Sequence, residues 1–149
     1  MIRVRGFLSE AAVAALLALP LVVAACTDSP TSPTASAPYS QTDLIVGTGD
    51  AAAANGNLLS VNYTGWLYDP TKPDSKGLQF DSSVGQTAFT FTLGSGQVIK
   101  GWDQGVPGMK VGGRRRVVIP PSLAYGANRS GSIPPNATLV FDIDLVSIQ

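Results

Sequence analysis

Apolar and polar side chains alternate most regularly near the end of the chain. Leu139, Phe141, Ile143 and Leu145 take every second position, with Asp142 and Asp144 between them. A period of two places such a set on one face of a β-strand, so 138–148 is expected to be a strand with its apolar face inward. Leu58–Tyr68 reads the same way, with Val61, Tyr63 and Gly65 on one face and Asn62 and Thr64 on the other. In 88–93, Phe89, Phe91 and Leu93 alternate with Thr90 and Thr92. Arg114–Ile119 is opened by Gly112-Gly113 and closed by Pro120-Pro121, whose missing N–H groups end a ladder. Residues 42–46 form a further short strand candidate, and 69–77, with two prolines and mixed charges, reads as a surface loop.

One stretch breaks the period of two. In Val98-Ile99-Lys100-Gly101-Trp102-Asp103-Gln104-Gly105, Trp102 follows Val98 and Ile99 at roughly helical spacing, and Lys100 and Asp103 are left to face water. Gly101 and Gly105 bracket a turn too short to stand as a free helix, so packing against the sheet has to hold it. Taken with the strands, this predicts an α+β domain over 42–149, a curved antiparallel β-sheet wrapped around one short α-helix. Trp102 on its own reads first as core packing, since a buried aromatic is more often packing than site.

Composition removes whole classes of chemistry. The 149 residues contain no histidine and one cysteine, which excludes a Ser-His-Asp triad, a Cys-His pair, a histidine metal cluster and any intramolecular disulfide. No metal and no cofactor are expected. The formal net charge is +0, so no broad basic field recruits nucleic acid. Alternation sends Arg115 to the face opposite Arg114 and Arg116, and the triplet is expected to be a solvated surface.

The first 25 residues have the plan of an export signal: Arg3 and Arg5, an apolar run over 11–25, and small residues before Cys26. With Pro20 inside it, the run falls short of the ~20 residues that span a bilayer. Val23-Ala24-Ala25-Cys26 resembles the lipobox of bacterial lipoproteins, in which Cys26 would carry the lipid; plain cleavage after Ala25 would instead leave a soluble secreted protein. Residues 26–41, rich in Ser, Thr, Pro and Ala, are expected to be a disordered tether. Thr27 after Cys26, in place of Asp, favours the outer over the inner membrane, with the domain on the periplasmic face.

Five motifs in order resemble those of the FKBP-type peptidyl-prolyl isomerases. They are Tyr63-Thr64-Gly65, Phe80-Asp81-Ser82-Ser83, Val98-Ile99-Lys100-Gly101-Trp102, Ala124-Tyr125-Gly126 and Ile133-Pro134-Pro135-Asn136-Ala137-Thr138-Leu139-Val140-Phe141. The resemblance implies an apolar cavity for a proline ring. Its catalytic set would be Tyr63, Asp81, Trp102, Tyr125 and Phe141, with Trp102 as floor, and Phe80, Phe89, Val98, Ile99 and Ile133 would bind substrate. The Tyr125 hydroxyl and the Ile133 backbone N–H would each meet a substrate carbonyl. A longer 69–79 loop, a polar 127–132 segment and Leu123 in place of Tyr depart from the family pattern and bear on substrate preference and macrolide affinity.

Such an enzyme needs no histidine, because rotation about an X–Pro bond breaks no covalent bond. The expected partners are proline-containing unfolded or exported polypeptides, macrolide immunophilin ligands, and a membrane reached through Cys26; the expected state is a monomer. The alternative reading is a membrane-anchored binding module or chaperone that holds proline-containing segments with incidental turnover.

Overall fold

The computed structural model describes residues 35–149. Cys26 and the segments expected to be an export signal and, for the most part, a tether lie outside them. Six strands form a single antiparallel sheet: β1 (Ser40–Ile45), β2 (Leu58–Tyr68), β3 (Lys76–Ser82), β4 (Phe89–Thr92), β5 (Arg114–Ile119) and β6 (Leu139–Ile148). One helix, α1 (Lys100–Gly105), packs on it, and short 3-10 turns occupy Pro73–Ser75 and Pro121–Leu123.

The order across the sheet is β1-β5-β6-β2-β3, with β4 also on β2. The two longest strands, β2 and β6, pair from Leu59↔Ile148 to Leu67↔Leu139, which makes them the spine of the sheet. β3 and β4 share one edge of β2: β4 pairs with Leu58 to Val61, and β3 pairs with Thr64 to Tyr68. Between them the edge is open at Asn62 and Tyr63. There the Ser83 hydroxyl accepts the Tyr63 N–H at 2.9 Å, and the Ser83 N–H donates to the Tyr63 carbonyl at 2.9 Å.

The expected alternation of β6 holds. Leu139, Phe141, Ile143 and Leu145 are buried beneath α1, while Asp142 and Asp144 lie on the outer face. Arg114 and Arg116 stand opposite these carboxylates in register and pair with them through two bonds each, Arg114 to Asp144 at 2.7 and 3.1 Å and Arg116 to Asp142 at 2.8 and 3.1 Å. Lys76 adds a 2.6 Å bond to Asp142 and sits 4.2 Å over the Trp66 ring. The outer face is therefore a lattice of bidentate ion pairs.

Three expectations change. The surface loop stops at Ser75, because β3 already begins at Lys76 and pairs with Tyr68 through a bulged, irregular register. The tether ends before residue 39: Tyr39 packs against the core, and Ser40 and Gln41 belong to β1. Arg115 is buried rather than solvated. It projects under α1 and engages all three guanidinium nitrogens in four bonds, with Nε and Nη2 on the Asp43 carboxylate at 2.6 and 3.1 Å and Nη1 on the carbonyls of Gly105 and Pro107 at 2.8 and 2.9 Å. An arginine costs least to bury when every donor finds an acceptor.

Burial alone would raise the pKa of Asp142, but the bonds from Arg116 and Lys76 outweigh it and hold the carboxyl below its ordinary range. A carboxylate depressed in the folded state adds stability above its unfolded pKa, and that stability is lost as pH falls through the folded value. Asp142→Asn should therefore be less stable than wild type at neutral pH, with the gap closing below about pH 4. Urea unfolding at several pH values measures it; a gap that does not change with pH would contradict the ion-pair account.

Candidate active site

The floor of the site is set by how closely α1 approaches β5. A Cβ on Gly101 would lie 2.4 Å from Ile119 Cγ2, and one on Gly105 would lie 2.8 Å from the Tyr39 hydroxyl and 3.1 Å from Val117. The two glycines that look like brackets in the sequence are thus the face on which the helix rests. From the opposite side Trp102 points into the fold, 4% exposed. The helix is fastened at both ends. Near its start, the Asp103 carboxylate accepts the Gly94 N–H at 2.9 Å, and at its end the Arg115 guanidinium takes the carbonyls of Gly105 and Pro107.

Around Trp102 stand rings from four strands. Tyr63 of β2 meets it edge to face at 5.2 Å and Phe141 of β6 at 5.3 Å, while Phe91 and Phe89 of β4 lie at 5.7 and 6.2 Å. Phe80 of β3 stands edge-on to Phe141 at 5.5 Å. Each such contact is worth roughly 0.5–1.5 kcal/mol beyond the area it buries, so the rings hold one another in place. Gly65 lets Phe80 and Phe141 meet: a Cβ there would fall 2.7 and 2.8 Å from their ring carbons. The Trp102 indole N–H is buried and has no oxygen or nitrogen acceptor.

Together these side chains enclose an open cavity of about 310 Å³. Nine of the ten residues expected at the site line it: Tyr63, Phe80, Asp81, Phe89, Val98, Ile99, Trp102, Tyr125 and Phe141. Tyr125 stands on the rim, 37% exposed, and Phe89 is similarly open at 39%. The tenth, Ile133, does not line the cavity. Its side chain is buried in the core, and its backbone N–H donates to the Ser130 carbonyl at 2.8 Å. The tight turn from Ser130 to Ile133 consumes the donor that was expected to meet substrate. Gly96 and Gln97, which the sequence reading passed over, also line the cavity. Their adjacency to Val98 and Ile99 was the only signal available.

One polar pair interrupts the apolar wall. The Tyr63 hydroxyl donates to Asp81 Oδ2 at 2.5 Å, and Asp81 Oδ1 accepts the Ser82 N–H at 2.8 Å, so both carboxylate oxygens are engaged. Burial, then the bond to Asp81, push the Tyr63 hydroxyl well above its ordinary pKa. It stays a donor across the physiological range and locks the carboxylate into the wall. Among the described residues no group of three or more His, Cys, Asp or Glu side chains comes together as metal ligands.

An open cup walled by aromatic rings, with one hydrogen-bonded carboxylate at its edge, has room for a compact, uncharged ring. The family model of FKBP-type peptidyl-prolyl cis-trans isomerases matches residues 49–146. An FK506-binding protein of Neisseria meningitidis serogroup C is 49% identical over 98 residues, covering 64% of this chain and 84% of that protein. FK506-binding protein 4 of Dictyostelium discoideum is 52% identical over 108 residues, or 70% of this chain, but the match spans only 27% of that longer protein. Among solved structures, AtFKBP13 superposes with a TM-score of 0.63 at 37% identity, covering 78% of this chain and 98% of that one. FkpA from Escherichia coli gives 0.62 at 38% identity over 78% of this chain and 50% of its own. The chain belongs to the FKBP-type peptidyl-prolyl cis-trans isomerase family.

Because the helix sits flush on β5, Gly101→Ala should lift the floor. It is expected to cost about 1–3 kcal/mol, as overpacking typically does, and to change the near-ultraviolet circular dichroism of the indole. An alanine variant with wild-type stability and spectrum would show that the close approach is not required.

Proposed function

We propose that the domain catalyses cis-trans isomerisation of X–Pro bonds in exported or envelope polypeptides, from a lipid anchor on Cys26. The observation that carries the catalytic part is the cavity over Trp102, walled by Tyr63, Phe80, Phe89 and Phe141. The barrier to rotation, ~18–20 kcal/mol for peptide bonds, comes from amide resonance. Resonance places negative charge on the carbonyl oxygen, which water stabilises only while the bond is planar. A cavity that replaces water with ring faces favours the twisted, less polar state, in which the transition state is bound more tightly than the substrate.

In this reading Trp102, Phe89 and Phe141 hold the proline ring, Phe80, Val98 and Ile99 shape its sides, and Tyr125 on the rim orients a substrate carbonyl. Asp81 keeps the wall rigid through Tyr63 and moves no proton. Ile133 supports the core beneath the rim. The family's macrolide ligands would enter the same cup. The protein would act as a monomer.

The anchoring part rests on sequence. Cys26 is the only cysteine, and it follows Val23-Ala24-Ala25 at the position where a bacterial lipoprotein is acylated. A lipid there would leave residues 27–38 as slack between the bilayer and the first packed residue, Tyr39, with the domain on the periplasmic side and the outer membrane favoured by Thr27. A soluble secreted protein is the alternative.

Two measurements test these parts separately. Residues 35–149 should accelerate a proline-limited refolding reaction whose uncatalysed phase lasts on the order of 10–100 s at 25 °C. Tyr125→Phe should lower kcat/KM about tenfold, or about 1.4 kcal/mol of transition-state stabilisation, with stability unchanged. Trp102→Leu should lower it further while keeping much of the packing. Unaccelerated refolding, together with peptide binding lost on Trp102→Leu, would make the domain a binding module instead.

For the anchor, cells fed a tagged fatty acid should label the wild-type protein but not Cys26→Ser. Absence of label on the wild type would leave the secreted form as the reading.

A further inference from the structure

The catalytic cup is not closed on the side of α1. Beyond Tyr125 it runs into a second hollow of about 430 Å³, between the start of the helix and the 3-10 turn Pro121–Leu123. Gly96, Val98, Ile99 and Tyr125 line both, so the two are one continuous trough with Tyr125 standing on the divide. The far part is bounded by Lys100, Asp103, Pro121, Ser122 and Ala124.

Charge is unevenly placed along this trough. At the cup end stands the Asp81 carboxylate, held by Tyr63 and by its neighbour's amide. At the groove end, Lys100 is exposed and pairs with no carboxylate among the described residues. Asp103 shares the groove, but its Oδ1 accepts the Gly94 N–H, which turns it toward the preceding loop and leaves the more mobile lysine as the group able to reach out to a ligand. A chain laid along the trough thus passes from a negative end to a positive one.

We propose that this groove is a second substrate subsite, which holds the polypeptide on one side of the reacting proline and favours an acidic side chain there through Lys100. The proposal rests on reading the first cavity as the isomerase site. A proline ring occupies only the cup, whereas a folding polypeptide continues from it, and the groove adjoins the cup with apolar walls at Val98, Ile99 and Ala124 for the backbone to lie against. An ion pair formed at so exposed a lysine is weak and screened by salt, so the preference should be several-fold rather than absolute. It would bias the enzyme among clients without deciding whether catalysis occurs.

The test uses the full chain in detergent, with a capped Ala-Pro tetrapeptide and longer peptides extended by three residues before or after the proline. The extensions carry Glu, Gln or Lys. Both kcat/KM and peptide affinity, by fluorescence polarisation, are measured. Extension on one side should raise both over the tetrapeptide, with Glu above Gln above Lys by roughly threefold a step at low salt. Lys100→Glu should reverse that order, and Ser122→Trp, which fills the groove from an exposed position, should abolish the gain from extension. Both variants should turn over the tetrapeptide like wild type, which shows that fold and cup are intact. No gain on either side, a gain that survives Ser122→Trp, or a charge order unchanged by Lys100→Glu would overturn the proposal. If wild type failed to turn over even the tetrapeptide, the isomerase reading would fall, and the affinities of the same peptides would still decide the groove.

Discussion

The architecture depends on the contact between a six-residue helix and the strand beneath it. A helix this short has almost no stability of its own, since nucleation costs more than its few hydrogen bonds return. It exists because Gly101 and Gly105 let its backbone rest on Ile119 and Val117, and because Arg115 reaches its last carbonyls from below. Trp102 inherits its position from that seat. The rings around it are then placed by strands that are already paired, so the cavity is bounded by a rigid frame on one side and a pinned helix on the other. The N-terminal strand is part of the frame: Asp43 completes the guanidinium of Arg115, and Tyr39 packs against Gly105.

What was legible in the sequence follows from where physics is periodic. β6 was readable to within one residue because its inward apolar set recurs at a period of two, and β2 and β5 to the residue, β5 because Gly112-Gly113 and Pro120-Pro121 mark its ends. β3 was not expected at all, because Lys76-Gly77-Leu78-Gln79 carries neither alternation nor β-branched residues and its register shifts twice against β2. Arg115 was placed on the correct face but given the wrong environment. The acceptors that make its burial tolerable come from residues 105 and 107 and from a strand 72 positions away, and no local pattern announces them. Nine of the ten expected site residues came together because motif order preserves side-chain identity. Ile133 lies off the lining, and its expected role belonged to a backbone N–H, whose partner is decided by turn geometry rather than by residue type.

The electrostatics divide along the same surface. The outer face of the sheet carries the paired Arg114-Asp144 and Arg116-Asp142-Lys76 groups, while the inner face presents rings and, beneath the end of α1, the Arg115-Asp43 pair. Within the ring wall Tyr63 and Asp81 satisfy each other, while Gln97 and the Tyr125 hydroxyl add polarity to the lining. Under the proposed isomerase mechanism such a site would work through the exclusion of water and the shape of its walls. Its chemistry is accordingly insensitive to the absence of histidine, which at first sight looked like the strongest restriction in the composition.

The division of one edge of β2 between β3 and β4 has a consequence for self-association. A single uninterrupted strand along all eleven residues of β2 would offer the solvent a long, straight row of unpaired amides and carbonyls, the template on which unfolded chains stack. Here the outermost positions are a bulged seven-residue strand and a separate four-residue strand, with the turn at Ser83 between them. The other border, β1, is six residues long and irregular between Asp43 and Ile45. Borders this short and this broken give an extended chain little to add to as a further strand, whatever segment is brought to the open cup.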